Sequence, residues 1–203
     1  MAVCCLGGAA LPAPAMARTI KLVALGDSLT AGYGLAPGQA FPEVLQKALR
    51  AKVHDVEVIN AGVSGETAED GLARFDWSVP EGTDALILEL GANDMLRGMP
   101  VAGAESALSD ILAKAKQANL PTLLTGMRAA PNLGATYQKA FDAIYPRLAR
   151  QYGVDLYPFF LDGVAADPKL NQQDGLHPNP RGVEIIVAAI LPSVESLLAK
   201  VKP

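Results

Sequence analysis

The chain of 203 residues is long enough for one domain with a single sizeable core. Half of its residues are hydrophobic and 19% are charged, a composition typical of a folded globular enzyme and not of a disordered chain. A net charge of −4 provides no basic stripe for nucleic acid, and no apolar run reaches the roughly 18 residues of a bilayer span. We therefore expect neither nucleic-acid binding nor stable membrane insertion.

The N-terminal segment 1–17 has the features of a secretory signal peptide. It carries no charged side chain and ends in an Ala-Met-Ala motif at 15–17, a small-x-small pattern typical of a cleavage site. Export to the periplasm or out of the cell is therefore expected, with a frayed cytosolic N-terminus as the alternative. Both cysteines, Cys4 and Cys5, lie in this segment, so the remaining chain 18–203 would have no disulfide and no thiol chemistry.

Short apolar runs alternate with amphipathic stretches along the rest of the chain. The runs are largely continuous, as in parallel strands buried on both faces, and they predict strands at 20–25, 56–59, 85–90, 122–125 and 154–157. Helical patterns predict helices at 41–51, 67–75, 102–119, 136–152 and 181–200. This alternation predicts an α/β fold in one domain, a three-layer α/β/α sandwich around a parallel sheet of about five strands.

Polar residues follow several of the predicted strands. Ser28 comes after the first strand, a glycine-containing segment at 60–65 follows the second, and Asn93 comes after the third. Asp174 and His177 belong to the loop after the fifth strand. Because ligands of parallel sheets bind outside the carboxyl ends of the strands, we expect these residues to meet at one edge of the sheet.

Three of these residues could supply the nucleophile, the base and the orienting carboxylate of a serine hydrolase. The hydroxyl of Ser28 is a poor nucleophile until a base removes its proton, and the neutral imidazole of His177 suits that task near pH 7. The i, i+3 spacing of Asp174 and His177 favours a carboxylate that fixes the histidine tautomer. The alternative is that Asp174 caps the last helix and His177 is a surface residue. His54 lies in a polar segment just before a predicted strand and is predicted to be an ordinary surface histidine.

Acyl transfer also needs hydrogen-bond donors for the developing oxyanion. The backbone N–H of Ser28 and the side-chain amide of Asn93 are candidates, although Asn93 in an Asx turn is an alternative. A further backbone N–H could come from Gly62 or Gly65, and the spacing alone does not choose between them. Asp27 is predicted to be structural, because a carboxylate is too weak a base to ionise a hydroxyl well.

Four ordered blocks of the sequence resemble those of the GDSL, or SGNH, hydrolases. They are Gly-Asp-Ser-Leu at 26–29, a glycine in the second block, Gly-Ala-Asn-Asp at 91–94 and Asp-Gly-Leu-His-Pro at 174–178. Within this family the chain is similar to the bacterial periplasmic thioesterase, lysophospholipase and arylesterase group. The resemblance covers essentially all residues after Arg18.

The resemblance implies a role for each residue of the site. It implies Ser28 as nucleophile, His177 as base and Asp174 as the group that orients the base. It also implies Gly65 and Asn93 as oxyanion donors beside the Ser28 amide. The fold it implies is the SGNH hydrolase fold, with a flavodoxin-like strand order of 2-1-3-4-5. No metal is implied, and no cofactor is expected.

Apolar residues in the loops at the same sheet edge predict the class of substrate. Met95, Leu96, Leu133 and Phe159 are predicted to line a groove for an acyl chain, with ordinary packing as the alternative. A carbohydrate site would be expected to show exposed tryptophan, and the single tryptophan, Trp77, is remote from the motifs in the sequence. We therefore predict a serine esterase that hydrolyses small-molecule acyl esters and thioesters through an acyl-enzyme.

Two other functions stay open at this point. One is a carbohydrate O-acetylesterase on the same fold. The other is a non-catalytic flavodoxin-like binding module, which would need a phosphate cradle, and the sequence contains neither of the usual glycine-rich phosphate motifs. No protein partner is predicted.

Overall fold

The computed structural model describes residues 18–202, which fold around a parallel sheet of five strands. The strands are β1 (Ile20–Gly26), β2 (Val56–Gly62), β3 (Ala85–Glu89), β4 (Thr122–Thr125) and β5 (Asp155–Tyr157). They pair in the order β2-β1-β3-β4-β5, which confirms the predicted α/β fold and its strand order. The predicted signal peptide at 1–17 lies outside the described residues, and its cleavage stays a prediction.

The centre of the sheet is buried on both faces, as the continuous apolar runs predict. All five residues of β3 are buried, and so are the last five of β1. The pairing register places Gly26 beside both Gly62 and Glu89, so β1, β2 and β3 extend to the same level. The loops that follow these three strands therefore start side by side, which brings their polar residues to one edge.

Helices cover both faces of the sheet. In chain order they are α1 (Ser28–Ala31), α2 (Phe41–Ala51), α3 (Ala68–Ala73), α4 (Phe75–Ser78), α5 (Ala92–Leu96), α6 (Val101–Gln117), α7 (Ala135–Asp142), α8 (Ile144–Tyr152) and α9 (Pro180–Leu198). A 3₁₀ turn, Pro131–Leu133, precedes α7. Helix α2 packs with α9, whereas α6 packs with α3 and α8. Among residues 18–202 no helix combines the length and the apolar character that a bilayer span needs.

Two predicted helices are each divided in the structure. The prediction of one helix at 136–152 is wrong, because α7 ends at Asp142 and α8 begins at Ile144. Pro146 has no N–H and cannot donate to the carbonyl of Asp142, so the helical hydrogen-bond ladder is interrupted there. The helix predicted at 67–75 is likewise two short helices that meet at Arg74.

Candidate active site

Ser28, His177 and Asp174 lie in line at the carboxyl edge of the sheet. Ser28 is the first residue of α1, directly after β1, and its Oγ is 2.9 Å from Nε2 of His177. The other ring nitrogen of His177, Nδ1, is 2.7 Å from Oδ2 of Asp174. This is the spacing that proton transfer from a serine hydroxyl to an oriented imidazole requires.

Asp174 is held by a turn of its own loop. Its Oδ1 accepts the backbone N–H groups of Leu176, at 2.9 Å, and of His177, at 3.0 Å. These hydrogen bonds, the His177 backbone N–H first among them, lower the pKa of Asp174 to about 2. The carboxylate that faces the imidazole is therefore ionised at any pH at which the protein would work.

The candidate oxyanion donors differ in their bonding state: two backbone N–H groups lack an acceptor among the described residues, and one side-chain amide is hydrogen-bonded. The Ser28 N–H opens α1 and has no acceptor within the described chain. The N–H of Gly65, which has a φ of +87°, also lacks an acceptor among residues 18–202, whereas the N–H of Gly62 donates to Asn60 at 3.0 Å. A Cβ on Gly62 would collide with the backbone of α1, so this glycine is required for close packing.

The amide of Asn93 is already hydrogen-bonded. Its Nδ2 donates to Oδ2 of Asp27 at 3.1 Å and to the carbonyl of Glu66 at 2.9 Å. These two bonds fix the orientation of the amide and hold it next to the loop that contains Gly65. To donate to an oxyanion, the Asn93 amide must share one of these two hydrogen bonds with it or give that bond up. The longer bond, to Asp27, is the one more easily shared.

Asp27 and Glu89 form a buried carboxyl pair beneath the nucleophile. Asp27 accepts the N–H of Leu29 at 3.0 Å and so caps α1, which agrees with its predicted structural role. Glu89 accepts the hydroxyl of Thr30 at 2.8 Å, and its Oε1 has no partner in the described structure. Burial raises the pKa of Asp27 to about 6 and raises that of Glu89 well above its ordinary range. Because burial raises the pKa of Glu89 further than that of Asp27, we assign the retained proton to Glu89.

Sequence reasoning missed two residues that support the site. Glu89 is the only charged residue of an otherwise apolar predicted strand, and that anomaly was the available signal. Arg74 is buried and donates to Glu66 at 2.5 Å, to Ser78 at 2.9 Å and to the carbonyl of Gly26 at 3.0 Å. No sequence signal distinguishes Arg74 from a surface arginine, because its bond to the carbonyl of Gly26 reaches a part of the chain 48 residues away.

An apolar cavity of about 520 Å³ opens beside Ser28 and His177. Of the predicted groove residues, Met95, Leu96 and Phe159 line it, together with Met127, Ala129, Leu161 and Leu176. The guanidinium of Arg128 lies 4.9 Å from the centre of the Phe159 ring at this cavity. The volume lies within the range of about 300–1,000 Å³ that is usual for small-molecule sites.

Not every predicted residue meets at this cavity. Leu133 is not part of its lining and instead packs against the hydrophobic core. Trp77 is 74% exposed on α4 and does not line the cavity either. A second cavity, of about 450 Å³, lies between the loop after α4 and the end of α6 and contains none of the predicted site residues. Within the described residues, no group of three or more metal-ligating side chains is arranged around a common point.

Comparison with known proteins places the chain in a family. Residues 24–185 match the model of the GDSL-like lipase/acylhydrolase family. The chain belongs to this family. This GDSL hydrolase is 42% identical over 161 residues to the arylesterase of Vibrio mimicus, covering 79% of this chain and 80% of the relative.

Further relatives of the GDSL hydrolase include a second enzyme and a solved structure. It is 42% identical over 159 residues to thioesterase 1/protease 1/lysophospholipase L1 of Escherichia coli, covering 78% of this chain and 75% of the relative. The crystal structure of AlinE4, an SGNH-hydrolase family esterase, matches with a TM-score of 0.76 and 46% identity, covering 91% of this chain and 99% of the other. The fold and the family are thus those that the four sequence blocks predict.

Proposed function

We propose that this protein is a serine esterase that hydrolyses acyl esters and thioesters through an acyl-enzyme on Ser28. The observation that carries the proposal is the continuous hydrogen-bonded line from Ser28 Oγ through the His177 ring to the ionised Asp174. Each neighbour in that line is within hydrogen-bond distance before any substrate binds. The names of the two curated relatives, an arylesterase and a thioesterase/lysophospholipase, support the same reaction class.

The reaction follows from this geometry in two steps. His177 Nε2 takes the proton of Ser28 as Oγ attacks the carbonyl carbon, and the imidazolium is stabilised by the Asp174 carboxylate. The imidazolium then gives its proton to the departing alcohol or thiol, which leaves an acyl group on Oγ. Water, deprotonated by the same imidazole, attacks this acyl group and releases the carboxylic acid and free Ser28.

Three donors are proposed to stabilise the negative charge that develops in each step. The N–H groups of Ser28 and Gly65 have no acceptor in the described chain and are free to bind an oxyanion. The Asn93 amide is held next to them by the Glu66 carbonyl. Where such a donor has been removed in other enzymes, the cost was about 3 kcal/mol of transition-state stabilisation.

The cavity beside Ser28 supports acyl chains as substrates. Its walls are mainly aliphatic, and its methionines, Met95 and Met127, adapt readily to a flexible chain. Among residues 18–202, Phe159 is the only phenylalanine, tyrosine or tryptophan that lines it, and its polar side chains are those of Ser28, Asn93, Arg128 and His177. A sugar ring would find few hydrogen-bond partners there, so medium-length acyl esters are favoured over O-acetylated carbohydrates.

Hydrolysis of p-nitrophenyl butyrate and octanoate by purified protein tests the proposal. We expect Ser28→Ala to lower kcat by more than about 10³-fold for both esters. Ser106→Ala is the matched control, because Ser106 is exposed on α6 and far from β1 in the sequence. Equal activity of wild type and Ser28→Ala would rule out Ser28 as nucleophile.

The same assay, extended to p-nitrophenyl acetate, separates the rival functions. A preference for an acetyl over an octanoyl ester would favour the carbohydrate O-acetylesterase. Wild-type protein that hydrolyses none of these esters would instead favour a binding module.

We also propose that the protein is exported and cleaved after Ala17. The uncharged segment 1–17 and its small-x-small ending support this proposal. Expression of the full chain in a bacterium, followed by fractionation and intact-mass measurement, tests it. A mature protein that begins at Arg18 outside the cytoplasm is expected, and a full-length cytoplasmic product would contradict it.

A further inference from the structure

The contact between Ser28 and His177 joins two segments that are far apart in the chain. The first is the nucleophile segment, 28–34, which follows β1, and the second is the base segment, 172–178, which follows β5. The Asp174–His177 pair lies within the base segment, so its geometry is local. The distance from Ser28 to His177 depends instead on how the two segments are held against each other.

Gln172 hydrogen-bonds to both segments with one side-chain nitrogen. Its Nε2 donates to the carbonyl of Tyr33 at 2.7 Å and to the carbonyl of Pro178 at 3.0 Å. Its backbone N–H donates to the carbonyl of His177 at 2.7 Å, which closes the base segment into a loop. Two carbonyl acceptors also define the orientation of the amide, because only its nitrogen can donate to them.

The nucleophile segment is shaped to receive this side chain. Gly34 has a φ of +74°, and a Cβ at this position would collide with Oε1 of Gln172. The ring of Tyr33, whose carbonyl accepts from Gln172, lies against the His177 ring with the two centroids 4.7 Å apart. Movement of the Tyr33 backbone would therefore change the packing around the imidazole.

We propose that Gln172 is a positioning residue that sets the distance between the Ser28 hydroxyl and the His177 imidazole. This inference rests on the proposed esterase function. Gln172 touches neither reacting atom and acts by fixing Tyr33 and the base segment. Because proton transfer needs Oγ and Nε2 within about 3 Å, a shift of about 1 Å between the segments is expected to slow acylation strongly.

Gln172→Met is the test variant, because methionine has a similar size and cannot donate to either carbonyl. We expect kcat for p-nitrophenyl octanoate to fall about 10- to 100-fold with KM within about twofold of wild type. Gln173→Met is the matched control, since the neighbouring Gln173 is exposed and has no side-chain hydrogen bond among the described residues. This control is expected to keep wild-type kcat.

An NMR measurement makes the test independent of turnover. The ring-proton shifts of His177 are expected to move in Gln172→Met, because the adjacent Tyr33 ring is no longer fixed, whereas those of the chain's other histidine, His54, stay in place. Unchanged His177 shifts, or a wild-type kcat, would overturn the inference, and so would a raised KM with unchanged kcat.

A second variant and the wild type resolve the other outcomes. If Gln172→Met does not fold, Gln172→Glu has the same shape without the donor and is measured identically. If the wild type hydrolyses no ester, the proposed function fails, while the NMR comparison still decides whether Gln172 positions His177.

Discussion

At the scale of single residues, the buried pair Asp27 and Glu89 makes folding depend on pH. In the unfolded chain both carboxyls lose their protons near pH 4, whereas burial raises both pKa values in the folded protein. Above about pH 4 the folded state therefore binds more protons than the unfolded state. Linkage requires the free energy of unfolding to fall as the pH rises through this window, which extends to about 6 for Asp27 and further for Glu89.

Glu89→Gln is predicted to weaken this pH dependence. Glutamine cannot ionise, so the variant loses less stability than wild type between about pH 5 and pH 8, with a difference on the order of 1–3 kcal/mol. Urea unfolding at several pH values measures the slope of the free energy of unfolding against pH. Glu57→Gln, at an exposed position on β2, is the control. Identical slopes for wild type and Glu89→Gln would show that Glu89 is not the proton carrier.

Asn93 provides a second prediction at this scale. Asn93→Ala is expected to lower kcat for the octanoate ester by about 10²- to 10³-fold with little change in KM, because an oxyanion donor acts mainly in the transition state. A lower kcat with normal unfolding stability would support a donor role. Near-normal kcat would mean that the Asn93 amide has a structural role, through its bonds to Asp27 and Glu66, and is not an oxyanion donor.

The pH dependence of activity is also set by the protonation of individual residues. The low pKa of Asp174, about 2, keeps its carboxylate ionised, so this group does not limit activity at mildly acidic pH. In the proposed mechanism protonation of the imidazole does limit it, because imidazolium cannot accept the Ser28 proton. We expect kcat/KM to rise with pH as the base is freed of its proton. A kcat/KM that stays constant from acidic to alkaline pH would contradict a histidine base.

At the scale of elements, Arg74 joins the end of β1 to the loop that follows β2. Its guanidinium is 6% exposed and bonds to the carbonyl of Gly26 and to the carboxylate of Glu66, which is 17% exposed. The Glu66 carbonyl in turn holds Asn93. Arg74, at the junction of α3 and α4, therefore connects the end of β1, the loop after β2 and, through Glu66, the Asn93 amide.

Arg74→Met is predicted to destabilise the fold by about 3 kcal/mol, because it leaves Glu66 partly buried without its ionic partner. Arg147→Met is the matched control. Its salt bridge to Glu105 lies at the surface, with the arginine 46% exposed, and its loss is expected to cost less than about 1 kcal/mol. Chemical denaturation compares the two variants, and equal losses would argue against a special role for Arg74.

At the scale of the whole molecule, the sequence predicts the α/β class and the candidate triad residues from local patterns, whereas the strand order followed from the resemblance to the family. Continuous apolar runs predict buried parallel strands, and the polar residues that follow them must lie at one edge. The break before α8 was missed because the amphipathic period continues across Pro146. Bonds such as those of Gln172 could not be predicted, since they depend on distances between segments far apart in the chain.

The central claim is that Ser28 carries the acyl group, and chemical trapping tests it most directly. Purified protein is treated with diethyl p-nitrophenyl phosphate, which reacts with activated serines, and its mass and labelled peptide are determined. We predict one diethylphosphoryl group on Ser28, loss of esterase activity in parallel, and no label in Ser28→Ala. Labelling at another residue together with loss of activity, or full activity after Ser28 is labelled, would contradict the account.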